Sequence, residues 1–297
     1  MDKLKLGKLP AIKDPFGRTI KFASIIKKEL LPDLPNTYDL DELLCVEDDR
    51  VFGNDVYGLC VKAAQAHQIL RFEKYEQGIQ IEITDQEVID AYFKETGGID
   101  TGLYLLNSLK VWRKDGFPIG GKTYNIYAFA SVDWKDHDEV KHCIHLLGGV
   151  NYGFLVPQSC LDQFNAGKIW EVVDNDGGIQ GGHGVYSPAY VKLTGYNEIG
   201  PVCMTWGRRQ QMTWKFFDKY TDEAYGIVDN RNDWLGEDSP VDVEKLQGYL
   251  DEITMGNEDV EESTCPIAKA YVKVGNFLAK LLRRSSRIPP PVRKIKR

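Results

Sequence analysis

The stretch Asn54-Asp-Val-Tyr-Gly-Leu-Cys60-Val-Lys-Ala-Ala-Gln-Ala-His-Gln-Ile-Leu70 decides how the rest of the chain is read. Its first half carries Asn, Asp and Gly, which suit a loop. Its second half is rich in helix formers, with the small Ala63, Ala64 and Ala66 allowing close packing. A buried central helix is expected, opening at Cys60 and ending near residue 76. A thiol at that opening faces unpaired backbone N–H groups and the positive end of the helix dipole, which favours the thiolate. Asn54, six residues upstream, and Gly58, two residues before the sulfur, suit an oxyanion-stabilising loop.

A cysteine nucleophile needs a base, and the chain offers His67, His137, His142, His145 and His183. His67 lies two turns along the same helix, too far along the axis to reach the sulfur. His137, His142 and His145 crowd one predicted helix over 136–147, where an exposed face is a better reading than a metal site. His183 follows Gly181-Gly182, precedes Gly184 and enters a predicted strand, so its ring can project at a lobe edge. It is the best base candidate.

The chain has 297 residues, 42% hydrophobic and 11% aromatic, enough for a sizeable core. It contains no long apolar run of membrane-spanning length and no apolar secretory core near its start, so a protein outside the Sec route and resident in a cytoplasm is expected. Six cysteines without a CxxC pair suit reduced thiols rather than a disulfide framework or a zinc knuckle. Residues 265–297 carry ten Lys/Arg and no Asp/Glu, so the formal −7 divides into +10 on that tail and −17 on the rest. Such a body repels nucleic acid, whereas the tail can contact an acidic surface.

Residues 1–33, Lys-rich and broken by Pro10, Pro15 and Pro32, read as an N-terminal arm. Residues 35–50 read as an acidic loop. Thr84 and Glu87 form a capping box that starts a second helix, which stops at Gly97-Gly98, and a third helix is expected over 101–115. Strands are expected over 124–132, 150–156, 184–196, 201–206 and 220–228. The fold class is therefore α+β, with a helical lobe near 34–120 and a β-rich lobe near 121–257 making one domain over 34–257. Residues 258–297 are read as a C-terminal amphipathic helix over 266–284 followed by a basic, Pro-rich tail.

The order of these features resembles the papain-like cysteine peptidases over residues 35–230: Asn/Gln-x5-Cys opening a helix, a Gly-Gly pair, a strand-entering His-Gly, then a Thr-Trp-Gly turn. The resemblance implies a two-lobe papain-like fold with its cleft between helical and β-rich lobes. It places Cys60 as nucleophile, His183 as base, Asn54 on the oxyanion-hole glutamine, and Gly58, Gly97, Gly98 and Trp206 along the substrate cleft. It also implies a polypeptide substrate and no cofactor or metal. Three departures stand out. Tyr57 replaces a disulfide cysteine, Val61 replaces the tryptophan after the nucleophile, and Met204 falls where the family has the Asn that orients the histidine. A thioether cannot hold an imidazole tautomer as an amide oxygen does, so Thr205, a backbone carbonyl or water would have to replace it.

Two classes follow. One is an active cysteine peptidase; the other is a catalytically impaired papain-like structural or assembly protein that docks through its arms. The Gly-Asn-Asp-x-x-Gly-x-Cys form also resembles papain-like proteins encoded by bacteriophages, for which virion association is expected. The glycine pairs at 177–178 and 181–182 lack the Lys-Ser/Thr of a phosphate loop, and Asp174 and Asp176 lack calcium-loop spacing.

Overall fold

The computed structural model describes residues 4–14, 19–48, 50–230 and 240–258. The chain divides into a unit over Met1–Val243 and a second over Glu244–Arg297. Helix α8 (Val243–Glu258) begins at the last residue of the first unit and supplies the described residues of the second. The amphipathic helix expected over 266–284 lies outside the described residues.

Within the first unit the chain runs through β1 (Tyr38–Asp39), α1 (Leu40–Leu44), α2 (Cys60–Gln77), α3 (Asp85–Thr96) and α4 (Leu105–Asp115), then the hairpin β2 (Phe117–Ile119) and β3 (Lys122–Tyr124). The second half contributes β4 (Ile126–Ser131), α5 (His137–Leu147), β5 (Val150–Pro157), α6 (Gln158–Asn165), β6 (Ile179–Lys192), β7 (Ile199–Thr205), β8 (Arg208–Gln211), α7 (Trp214–Tyr220) and β9 (Thr221–Asp229). One antiparallel sheet runs in the order β4-β9-β5-β6-β7-β8, with β1 added on β6. This is the expected α+β layout.

Helix α2 is buried from Cys60 to Glu73 and lies against β6, its alanines admitting the strand. Gly78, at φ 67°, closes it by donating to Lys74 O. Helix α3 begins with the Thr84–Glu87 capping box and ends at Gly97, whose N–H bonds Phe93 O. Around α2 the helical lobe packs Phe52, Leu59, Val88, Tyr92, Leu106 and Trp112.

Four expectations on elements change. Residues 35–50 contain a short helix, because the Asp39 carboxylate caps the N–H groups of Asp41 and Glu42. Helix α4 starts at Leu105 rather than 101, because residue 103 bonds residues 7 and 9 across a groove. Strand β6 starts at Ile179 rather than 184, since β5 pairs with it through Gly182 and Gly181 and, past a register shift after Val156, again at Pro157↔Ile179. Helices α6 and α7 and strand β8 have no counterpart in the sequence reading.

Candidate active site

Leu59 precedes α2 without a side-chain cap, and Cys60 opens the helix with its sulfur receiving the Val61 backbone N–H. The thiol is 1% exposed, and its Sγ accepts a hydrogen bond from Gly184 N at 3.3 Å. Gly184 owes this approach to its missing side chain, since a Cβ there would lie 3.0 Å from Val61 Cγ2. The neighbour of Gly184 on β6 is His183, also 1% exposed. The long-range fold thus brings the helix opening and the His-Gly strand together.

His183 Nε2 lies 2.6 Å from Thr205 Oγ1, and its buried Nδ1 has no hydrogen-bond partner among the described residues. Trp206 stacks on the imidazole at 4.1 Å between centroids, and Phe154 meets it edge-on at 5.8 Å. Trp206 adopts φ 42° and Gly207 φ 77°, the two-residue turn geometry that joins β7 to β8. Strand alternation turns Met204 the other way, against Ala64 and Tyr186. The side chain that meets the imidazole thus comes from the next position, as the Thr205 hydroxyl.

Asn54 is buried, and its Nδ2 donates to Tyr57 O at 3.0 Å, bracing the loop that carries Gly58 and Cys60. Gly58 N donates to Asp100 Oδ1 at 3.0 Å; Tyr92 Oη also donates to that oxygen, at 2.6 Å, while accepting from Gly102 N. These bonds fix one wall of a groove whose other wall is the Gly181-Gly182 stretch of β6.

The N-terminal arm lies in this groove. Gly7 and Lys8 both donate to Gly182 O, Gly7 O accepts from Leu103 N at 2.8 Å, Leu9 N donates to Leu103 O, and Trp206 Nε1 donates to Lys5 O at 3.1 Å. At Gly7, Lys8 and Leu9 the contact with both walls includes backbone-to-backbone bonds. A Cβ on Gly7 would fall 1.7 Å from Gly58 O, one on Gly102 2.3 Å from Gly7 O, and one on Gly182 2.4 Å from Lys8 O. Gly97 and Gly98, expected along the cleft, are exposed with nothing within 4 Å of an added Cβ. They finish α3 instead, and Gly102 is the glycine that admits a bound chain.

Burial sets the charge state beneath the arm. It pushes the Cys60 thiol up, opposed by hydrogen bonds from the Gly184 and Gly7 backbone and by the Lys8 charge. It pushes His183 down to about 3. Both groups are therefore neutral at pH 7 while covered.

Of the other histidines, His67 Nδ1 pairs with Asp48 at 2.5 Å on the far part of α2. His137 pairs with Asp218, His142 bonds Asp138 O within its own helix, and His145 packs on Tyr38. Among the described residues no group of three His, Cys, Asp or Glu is placed to hold a metal, and no helix is long and apolar enough to cross a membrane. Gly102, Asp100 and the arm contacts were missed by sequence reasoning, whereas Thr205 was among the groups expected to stand in for the absent Asn. Thr205 carried the one available signal, as the hydroxyl beside Met204.

No protein-family profile matches the chain, and no curated protein matches it in sequence. Solved structures do match. Xylellain, a cysteine protease from Xylella fastidiosa, is 19% identical with a TM-score of 0.56, the match covering 78% of this chain and 99% of that one. A procathepsin B from Trypanosoma congolense, S9, is 14% identical with a TM-score of 0.51, covering 76% and 87%. With the helical lobe, the antiparallel sheet and the groove between them, these likenesses give the chain a papain-like fold.

Proposed function

We propose that this chain is a cysteine peptidase that hydrolyses peptide bonds through Cys60 and His183, and that its own N-terminal arm covers the site. The observation that carries this reading is the Gly184 N–H···Sγ contact, which joins the opening of α2 to the residue beside a Thr205-bonded imidazole. Once the arm leaves, solvent and the helix dipole favour the thiolate and imidazolium over the neutral pair. The thiolate attacks the substrate carbonyl carbon, and the carbonyl π electrons move onto oxygen. His183 protonates the departing amine as the C–N bond breaks, leaving an acyl-enzyme. Water, deprotonated by His183, then attacks the acyl carbon and releases Cys60.

The oxyanion donors are the Cys60 backbone N–H and the Asn54 amide. Asn54 holds Tyr57 O through Nδ2, so it serves through its second amide hydrogen or by turning; loss of such a donor costs about 3 kcal/mol. The arm itself is a poor substrate. Its Gly7 N–H is directed to Gly182 and Cys60, while its carbonyl is held by Leu103 on the other wall.

The test is labelling by a thiol-directed peptidyl epoxide, located by peptide mass mapping. The full chain with Gly7→Val, whose new Cβ collides with Gly58, is expected to label at Cys60 far faster than the unaltered chain. Adding His183→Ala is expected to abolish that gain. Equal labelling with and without His183 contradicts the reading.

A second reading, a catalytically impaired assembly protein within a virion or another complex, gains from the engaged Asn54 amide and from the ten basic residues near the C-terminus. It expects deletion of residues 266–297 to abolish assembly while Cys60→Ala leaves assembly intact.

A further inference from the structure

One buried cation in the groove belongs to the arm. Lys8 follows Gly7, the residue over Cys60, and its side chain is wholly buried with Nζ 2.7 Å from Asp222 Oδ2 and 3.0 Å from Glu223 Oε1. Both carboxylates come from the start of β9. Glu223 is only 6% exposed in its side chain, and its other oxygen accepts from Tyr225 Oη at 3.1 Å, which fixes its direction. The way in is open because β5 has no side chain at Gly153, where a Cβ would lie 1.8 Å from Lys8 Cε. A pocket of Lys length, open on the groove and ending in two carboxylates, is thus placed one residue along the arm from Gly7, the residue over the sulfur.

We infer that the pocket formed by Gly153, Asp222 and Glu223 selects substrates with a basic side chain next to the position over Cys60, and that Lys8 is the internal stand-in for that side chain. This rests on the cysteine peptidase reading. An apolar side chain fits the shaft but leaves Glu223 buried without its counter-ion, and burial already pushes that carboxyl up against the pull of Lys8. An acidic side chain adds repulsion. Asp222 Oδ1 is buried with no hydrogen-bond partner among the described residues, so the pocket still has an acceptor to offer. An arginine, with five donors, can use it where a lysine ends short.

The test separates recognition from catalysis. In the full chain carrying Gly7→Val, Lys8→Ala and Cys60→Ala, binding is measured for the peptide of residues 4–12 and for versions with norleucine or arginine in place of lysine 8. Lysine and arginine peptides are expected to bind at least about tenfold more tightly than norleucine, the scale of one charge-assisted contact. Adding Asp222→Asn and Glu223→Gln is expected to erase that preference. Equal binding of all three, binding of none, or a preference that survives the carboxylate changes overturns the inference. Circular dichroism confirms that each variant folds. Lys8→Met alone, in the otherwise unaltered chain, is expected to raise the alkylation rate of Cys60 at least about tenfold by removing the anchor; no change overturns the role of Lys8 as the pocket's occupant. The same chain with Cys60 restored is then treated with the peptidyl epoxide, with and without His183→Ala. Selective binding of the basic peptides together with labelling that is indifferent to His183 sinks the peptidase reading while leaving the pocket's selectivity intact.

Discussion

In the proposed mechanism the Thr205 hydroxyl, bonded to His183, takes the part that a thioether at Met204 cannot. A hydroxyl both donates and accepts, so it supports the imidazole and the imidazolium but fixes the tautomer less firmly than an amide oxygen. Thr205→Val keeps the shape and removes the bond, and kcat/KM of the arm-displaced chain should fall about 100-fold, within the range of acid–base contributions. Thr205→Asn should retain activity better than Val, as peptide hydrolysis assays will show. His183 also makes a pH prediction. Burial lowers it from 6.5 to about 3, so the folded chain stays neutral where the unfolded chain takes up a proton. Stability is unaffected by this group above 6.5 and falls between 6.5 and about 3, by at most roughly 1.4 kcal/mol per pH unit. Denaturation followed over that window should show a shallower decline in His183→Gln. At this scale the place of Cys60 at the opening of α2 and of His183 within β6 was legible, because helix-opening and Gly-His-Gly patterns are local. Thr205 was half legible, being visible as a candidate beside Met204 but decided only by strand alternation.

Elements were legible where the signal lay within one turn or one strand. The Thr84–Glu87 cap and the alanines of α2 are such signals. The glycine pair at 97–98 misled because a helix C-cap and a close approach of backbone both call for glycine, and only the arm's course tells them apart. Gly182 shows the difference. It sits in strand conformation, and Gly182→Ala places a Cβ 2.4 Å from Lys8 O, so Cys60 alkylation should accelerate as in Gly7→Val without loss of fold. Helix α2 is also tied to α1 by charge. Arg71 pairs with Asp41 and Asp48, Asp41 pairs with Arg209, and His67 pairs with Asp48. Burial alone would raise Asp48, yet His67 and Arg71 hold its carboxyl well below the ordinary range. That stabilisation is present above the ordinary carboxylate pKa and is lost as acid protonates Asp48. Arg71→Met leaves two buried carboxylates short of a partner and should cost about 3–5 kcal/mol in chemical denaturation.

At the scale of the whole molecule, the groove, the arm and the site belong to one compact unit, with arm and β9 more than 200 residues apart in sequence. No local pattern links Lys8 to Asp222, which is why the arm's place could not be read from the chain. Cover in cis should not depend on protein concentration, so Cys60 alkylation of the unaltered chain should have the same half-life after a hundredfold dilution. A half-life that shortens on dilution would place the arm in a neighbouring molecule. The most direct measurement is the pH profile of Cys60 alkylation by iodoacetamide in the full Gly7→Val chain, read at this residue by mass spectrometry because Cys45 is exposed. A reactive thiolate persisting well below the pKa of about 8.5 of an ordinary thiol, and lost with His183→Ala, is the predicted result. A Cys60 that titrates as an ordinary thiol whether or not His183 is present would contradict the account.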